Sequence, residues 1–542
     1  MVFRFDINPN DPACIQRALN TEWLLTNGLG GYAMGTILGV NTRRYHGLLV
    51  AATTPPVGRI VALHSMIEQL VIPRDDGSEE VIDLSTQQFV GPDGQPMLQG
   101  QSPHKRVTVE IESPVIMQRT VKVPQGSIRR VLDCSVNPSG PNISYDVTVA
   151  VRGAKLRLRP MIPLRDFHSI QADSPPTSEV RETNRLFFTR AGVEFMLMTN
   201  EGVWRHDAQW WHRFAYTIDR ERGQEWVEDV WSPGFLEVEV DRASRVLLET
   251  GCVERQTSAP SEHVWRPASD RTDSESSDKP IGRLKDSSRR FLVMRTVSEQ
   301  ASTSVIAGYP WFGDWGRDTM ISLPGLMLCT KRYDEALSCL LMFARNIKNG
   351  LIPNVFDDYG GAAHYNTVDG PLWFIHAIHE HWKATGQLNS ELLNACRQII
   401  AAYRQGTDFH IFMDSDGLIS AGDDGSQLTW MDAKRDGVCF TPRHGKPVEV
   451  NALWHNALLC LAEMTDDSRE CEELSGLSRQ AAQTFQQTFW WPGRNCLHDV
   501  LQPAPSNQLR PNQIFAISLP HSPLNEVQQR AVVKVVGDRL LT

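Results

Sequence analysis

The chain has 542 residues, too many for one hydrophobic core, so about two or three domains are expected. It is 41% hydrophobic and 22% charged, the balance of an ordinary globular protein. A net charge of −10 argues against nucleic acid or an anionic membrane as partner, but leaves a neutral polymer open.

The first residues, Met1-Val-Phe-Arg-Phe-Asp-Ile-Asn8, place charge where a signal peptide needs an apolar stretch, and no run reaches membrane-span length. Ten cysteines without a Cys-x-x-Cys pair read as reduced, mostly buried thiols. A cytoplasmic location follows as the expectation.

From the amino terminus to about residue 250 the pattern is β structure. Asn27-Gly28 and Gly30-Gly31 separate short apolar runs between Thr21 and Val50, which predicts a hairpin. A nucleotide loop does not fit these glycines: no Gly-Lys-Ser/Thr follows, and no helix pattern opens after them. Further strands are predicted at Ile60–Leu63, Val107–Glu112, Ser127–Leu132, Tyr145–Val151 and Phe235–Val240. Their alternation, with Pro, Gly and Asn between, predicts an antiparallel sandwich over residues 1–254. Trp204, Trp210 and Trp211 read first as sandwich core and second as a sugar platform.

Residues 255–284 have the Ser/Pro/Asp-rich composition of a linker. Beyond them, over 285–542, the spacing turns helical. Helices are predicted from Arg289 to Glu299, Asp334 to Lys348, Pro371 to Thr385, Ser390 to Phe409, Val448 to Met464, Glu470 to Phe489 and Leu524 to Leu540. Several are apolar round most of their circumference, Met320–Leu328 especially, as the inner ring of a double-layered helical barrel would be.

Polar and aromatic residues of this half gather in the connections. The segment Gly308-Tyr-Pro-Trp-Phe-Gly-Asp-Trp-Gly-Arg-Asp-Thr319 combines rings with Asp314, Arg317 and Asp318. It reads either as the wall of a sugar pocket, rings against the apolar face and charges on the hydroxyls, or as a buried Arg–Asp pair at a helix start. Three more loops follow: Gly350–Asn366, Asp416–Lys434 and Cys439–Val450. In Thr429-Trp430-Met431-Asp432 a carboxyl stands beside an indole. A carboxyl in a ring-lined pocket can hold its proton near neutral pH and act as an acid. Alternatively Asp432 caps a helix or pairs with Lys434. His376-x-x-His379-Glu380-His381 lies within a helix that cannot aim three rings at one ion, so no metal site is expected. No cofactor is expected either.

The stretches Glu22–Tyr32 and Asn41–Gly47 resemble the amino-terminal domain of prokaryotic-type glycogen debranching enzymes. Gly308–Thr319, Gly350–Asn354, Leu428–Lys434, Thr441–Glu449 and Leu509–Gln513 resemble that family's helical half, in the same order. The resemblance implies a multidomain β + α protein: an antiparallel β-sandwich followed by an (α/α)6 toroid. It implies an amylo-α-1,6-glucosidase that removes, with inversion, the single glucose left at a branch of glycogen or limit dextrin. By resemblance to this family and to glucoamylases, Asp432 would be the general acid. Arg317 and Asp318 would hold the terminal glucose, and Trp315 and Trp430 would line its subsite. Lys434, Arg443, His444 and Glu449 fall in the matching segments as further substrate-binding groups.

The helical half supplies about eight or nine of the twelve helices a full toroid needs, so its last helices are expected to be missing. The family's late carboxylate, the water-activating base, is absent from this chain; Glu449, Asp423 and Asp424 are the substitutes within it. Two alternatives accompany the reading: a glucoamylase-like exo-α-glucosidase, and an inactive glucan-binding fragment.

Overall fold

The computed structural model describes residues 3–113, 115–135, 137, 139–170, 175–182, 184–240, 242–254, 280–297, 299–358, 361–501 and 504–541. Two compact units emerge: Met1–Thr296 with Gly308–Trp311 and Asp358–Gly360, and Val297–Ala307 with Phe312–Asp357 and Gly361–Thr542. Of the expected linker, 255–279 lies outside the described residues. Residues 280–288 are helical (α3, Pro280–Ser288), after α1 at Pro12–Asn20 and α2 at Thr217–Glu221.

In the first unit the expected hairpin forms: Glu22–Thr26 pairs antiparallel with Tyr32–Thr36. Its turn requires glycine at position 30, where φ is +85° and a Cβ would meet the Pro56 carbonyl oxygen at 2.1 Å. The predicted strands all lie in antiparallel sheets, but in three of them, of nine, seven and five strands, rather than two. One apolar core joins all three, with Ile128 and Val147, Leu156 and Leu236, and Leu25 and Ala51 among its members. Trp204 and Trp210 are half-buried against that core, while Trp211 packs beside Phe89 and Phe214.

The second unit is helical: α4 (Gly316–Leu323), α5 (Tyr333–Arg345), α6 (Gly370–Thr385), α7 (Ser390–Gln405), α8 (Val448–Met464), α9 (Ser468–Thr488), α10 (Phe515–Ser518) and α11 (Glu526–Leu540). One predicted helix is absent. Arg289–Glu299, which runs across the division between the units, begins with a single turn and becomes the strand Leu292–Val297. Its β-branched residues fit a pleated sheet better than a helix.

The Met320–Leu328 run is also not enclosed: Ile321 is 45% exposed. Pro324 lacks the N–H that would continue the helix, and the chain passes into a wider turn over Pro324–Leu328. The helix that is buried on nearly every side is α8, which packs against α6 and α9.

Candidate active site

The site is assembled in the helical unit where α4 begins. Trp315 caps that helix with an extended backbone and pairs as an isolated bridge with Val355, which pairs in turn with His364. Gly316 makes the close approach possible. Its N–H donates to the Asn354 carbonyl at 2.8 Å, and a Cβ there would fall 2.0 Å from the Pro353 oxygen. One turn of helix thus carries Arg317 inward, with 4% of its surface exposed, while Asp318 remains exposed.

Arg317 is the hub. Its Nε donates to Asp369 Oδ1 at 2.8 Å, and Nη2 donates to Thr367 Oγ1 and the Leu428 carbonyl, both at 3.3 Å. The Nη1 group reaches Asp432 Oδ2 at 3.4 Å. One guanidinium therefore ties the start of α4, the loop leading into α6 and the Asp416–Lys434 loop. Asp369 is buried at the amino end of α6, where the helix dipole favours its negative charge.

Asp432 is half-buried, and burial raises its pKa above the ordinary aspartate value. Arg317 pulls that value down and Asp369 pushes it back up. Asp318 is likewise raised, first by desolvation, then opposed by Arg317 and assisted by Asp369 and Asp432. The three carboxylates thus share one electrostatic neighbourhood around one arginine. Beside them opens a cavity of about 440 Å³ lined by Trp315, Asn354, Val355, His364, Tyr365, Asn366, Phe409 and Asp432. Its size suits a small polar ligand with an apolar face.

In the Gly308–Thr319 segment the structure shows a buried ion pair and one ring that lines a cavity. Arg317 is a buried, ion-paired residue at a helix start, but its near partner is Asp369 and not Asp318. The rings divide between units. Tyr309 and Trp311 belong to the first, packed beside Tyr32 and Tyr45, with Arg43 and Arg222 over the Trp311 ring at 5.2 and 5.0 Å. Of the segment's four rings, Trp315 is the one lining the cavity. Asp314 is buried and accepts from Ser304 Oγ at 2.7 Å.

Asp432 neither caps a helix nor pairs with Lys434. The Lys434 ammonium donates to the Gly425 carbonyl at 2.9 Å, and the residues around Asp432 are loop. Arg443 and Glu449 stand behind Trp430 and outside the cavity, 4% and 2% exposed, and pair with each other through both carboxylate oxygens. Arg443 also donates to Asp499 Oδ2 at 2.9 Å and to Thr429 Oγ1 at 3.3 Å. Asp499 accepts from Asn512 Nδ2 at 2.7 Å, and Asn512 Oδ1 accepts the Trp430 indole N–H at 2.9 Å. Trp430, 46% exposed, is therefore a ring held in place from behind. His444 lies 3.3 Å from Asp424, whose side chain is almost fully exposed, and Asp423 caps its own turn at Gly425.

Sequence reasoning passed over the roles of Asp369, Thr367, Asp499 and Asn512. A carboxylate directly before Gly-Pro at a helix start was the legible signal for Asp369. Asp499 gave none, because its partners are distant in sequence. Among the described residues, no helix is long and apolar enough to cross a membrane.

Profiles of known families match the chain in two consecutive parts. One described as "Glycogen debranching enzyme N terminal" covers residues 21–247, and one described as "Amylo-alpha-1,6-glucosidase" covers residues 286–542. The glycogen debranching enzyme of Saccharomyces cerevisiae (strain ATCC 204508 / S288c) is 28% identical over 242 residues. That match takes in 32% of this chain and only 16% of the yeast protein. A bacterial glucoamylase crystallised in complex with acarbose has a similar fold, with a TM-score of 0.52 at 11% identity, over 96% of this chain and 78% of that one. Matched in order by both profiles over most of its length, the chain belongs to the glycogen debranching enzyme family.

Proposed function

We propose that this chain is a glycoside hydrolase that releases α-1,6-linked glucose at branch points of glycogen or limit dextrin, with inversion and without a catalytic metal or organic cofactor. The observation that carries the reading is the meeting of Arg317 with Asp432 at the rim of a ring-lined cavity. A carboxyl whose protonated form is favoured by burial can deliver a proton to a glucosidic oxygen. Asp432 is the general acid in this reading.

The bonding of Arg317 refines the division of labour. Four of its five N–H donors go to Asp369, Asp432, Thr367 and the Leu428 carbonyl, so it positions the acid more than it grips sugar. Asp318 is exposed, and among the described residues no other side chain donates to it. It is the better acceptor for glucose hydroxyls. Trp315 and Trp430 offer rings for the apolar face of the sugar.

The test is to incubate the purified chain with phosphorylase limit dextrin and measure free glucose, with its first-formed anomer read by NMR. The wild type should release β-glucose, and Asp432→Asn should lower the rate by about 10²–10⁴-fold. An unchanged rate would show that another group is the acid. A second reading, an exo-acting α-glucosidase of glucoamylase type, is favoured by the fold shared with the bacterial glucoamylase. Faster release from maltosyl than from isomaltosyl ends would select it.

A further inference from the structure

Further along α6 from Arg317's partner Asp369, a set of soft and borderline donors converges that the hydrolytic reading does not use. We propose that His379, Cys460 and His521 form a binding site for a divalent cation of the zinc class, with Glu463 as the fourth donor. His379 and Cys460 are buried on α6 and α8, and His521 lies in the segment before α11. One ligand atom from each of the three lies within 4.8 Å of the other two.

Glu463 stands three residues beyond Cys460 on α8, on the same face of the helix. Its Oε2 is 2.8 Å from His379 Nε2, and its Oε1 is 3.2 Å from His521 Nε2. Two imidazoles, a thiol and a carboxylate from three separate elements make a nitrogen–sulfur–oxygen set that suits zinc. Donors on a tetrahedral zinc with bonds of about 2.0–2.3 Å stand roughly 3.3–3.8 Å apart, so the two imidazoles and the thiol would draw together by up to about 1 Å while Glu463 moves back from His379, within the reach of side-chain rotation.

The polar bookkeeping points the same way. His379 Nδ1 is buried without a hydrogen bond and faces Glu380 Oε1 at 3.4 Å. A metal-bound imidazole ordinarily offers its second N–H to such a carboxylate. His521 Nε2 is also buried without a hydrogen bond, although Glu463 is close. The backbone N–H of His521 donates to Asn456 Oδ1 on α8 at 3.3 Å, which anchors this segment to the helix.

On binding, the Cys460 thiol gives its proton to solvent as the sulfur–metal bond forms, and the His379 proton shifts from Nε2 to Nδ1. A dication with one thiolate and one carboxylate leaves the site uncharged, which makes its burial tolerable. Lys383, 3.5 Å from Glu463, is half exposed and can turn into water. The partly exposed side chains of His521 and Glu463 provide the path of entry. The ion would clamp α6, α8 and the segment before α11 together, away from the sugar chemistry.

The experiment uses the purified full chain, stripped with chelator and titrated with zinc ion alone, then with cobalt(II) as a spectroscopic probe. One equivalent of zinc should bind and raise the melting temperature, and the cobalt form should show a thiolate charge-transfer band with tetrahedral d–d bands. Cys460→Ser should abolish the charge-transfer band, and His521→Gln, at a partly exposed position, should weaken zinc binding by about tenfold or more. Absence of zinc binding, a cobalt spectrum without the thiolate band, or equal affinity in both folded variants would overturn the proposal.

Discussion

At the scale of single residues, the behaviour of the site follows from how three carboxylates share Arg317. Burial and Asp369 raise the pKa of Asp432, and Arg317 lowers it. If Asp432 delivers the proton, activity must fall as pH rises through its pKa, so that value is the alkaline limb of the pH–rate profile. Asp369→Asn removes a negative charge that favours protonation and leaves Arg317 attending to Asp432. The Asp432 pKa should fall, and the limb of kcat/KM should move to lower pH by about one unit. The amide keeps an oxygen for the Arg317 Nε–H, so the buried arginine is not left wholly bare. A limb that stays in place while the rate drops would mean that a different group holds the proton.

At the scale of elements, α8 shows what a sequence can disclose and what it withholds. Its bounds, Val448–Met464, coincide with the apolar run that announces it, and α5, α6 and α9 also fall within two residues of expectation at most ends. Long helices with an unbroken apolar pattern depend on local information. The Leu292–Val297 strand does not, because so short an apolar run is ambiguous between helix and strand when read locally. The same division runs through the site. Asp432, Trp430 and Arg317 stand out in the sequence as candidates because polar and aromatic residues cluster in the connections and at the start of α4. The Arg443–Glu449–Asp499 group behind them joins residues up to 56 positions apart, and only the folded chain places it in the interior.

Buried polar residues of α8 are another such case. Asn451 accepts the Ile419 N–H at 2.7 Å and donates to the Ile419 carbonyl at 3.1 Å, while the Trp454 indole donates to the Gly417 carbonyl at 3.1 Å. The helix thereby holds the first part of the Asp416–Lys434 loop that ends in the acid. Asn451→Leu leaves those backbone groups buried and unpaired, so it should destabilise the chain by about 2 kcal/mol or more in a urea titration. It should also reduce glucose release more than an exposed control such as Val533→Ala.

At the scale of the whole molecule, the two units share a weakness to acid that their buried histidines dictate. His64 in the first unit and His455 in the second are 1% and 6% exposed, and burial depresses each pKa to about 4. Each is held through Nδ1 by a serine hydroxyl, Ser65 at 2.9 Å and Ser478 at 2.8 Å, an arrangement suited to the neutral ring. An unfolded histidine takes up its proton near pH 6.5, so below that point the unfolded chain binds more protons than the folded one. Stability is therefore full above about pH 6.5 and is lost as pH falls toward 4, by about 3 kcal/mol for each ring. Glu22 extends the loss further down. Burial alone would raise its pKa, but hydrogen bonds from His46 and Arg43 outweigh that and hold it at about 2. Its contribution thus disappears between about pH 4.5 and 2. The raised values of Asp318 and Asp432 act in the opposite sense, but both groups keep some contact with water and offset only part of the decline. Calorimetric melting temperatures should fall steeply between about pH 6.5 and 4. Because the two histidines lie in different units, His64→Gln should flatten the pH dependence of the first unit's transition and leave the second's slope intact, with His455→Gln doing the reverse. Equal slopes in wild type and both variants would assign the acid sensitivity to carboxylates instead.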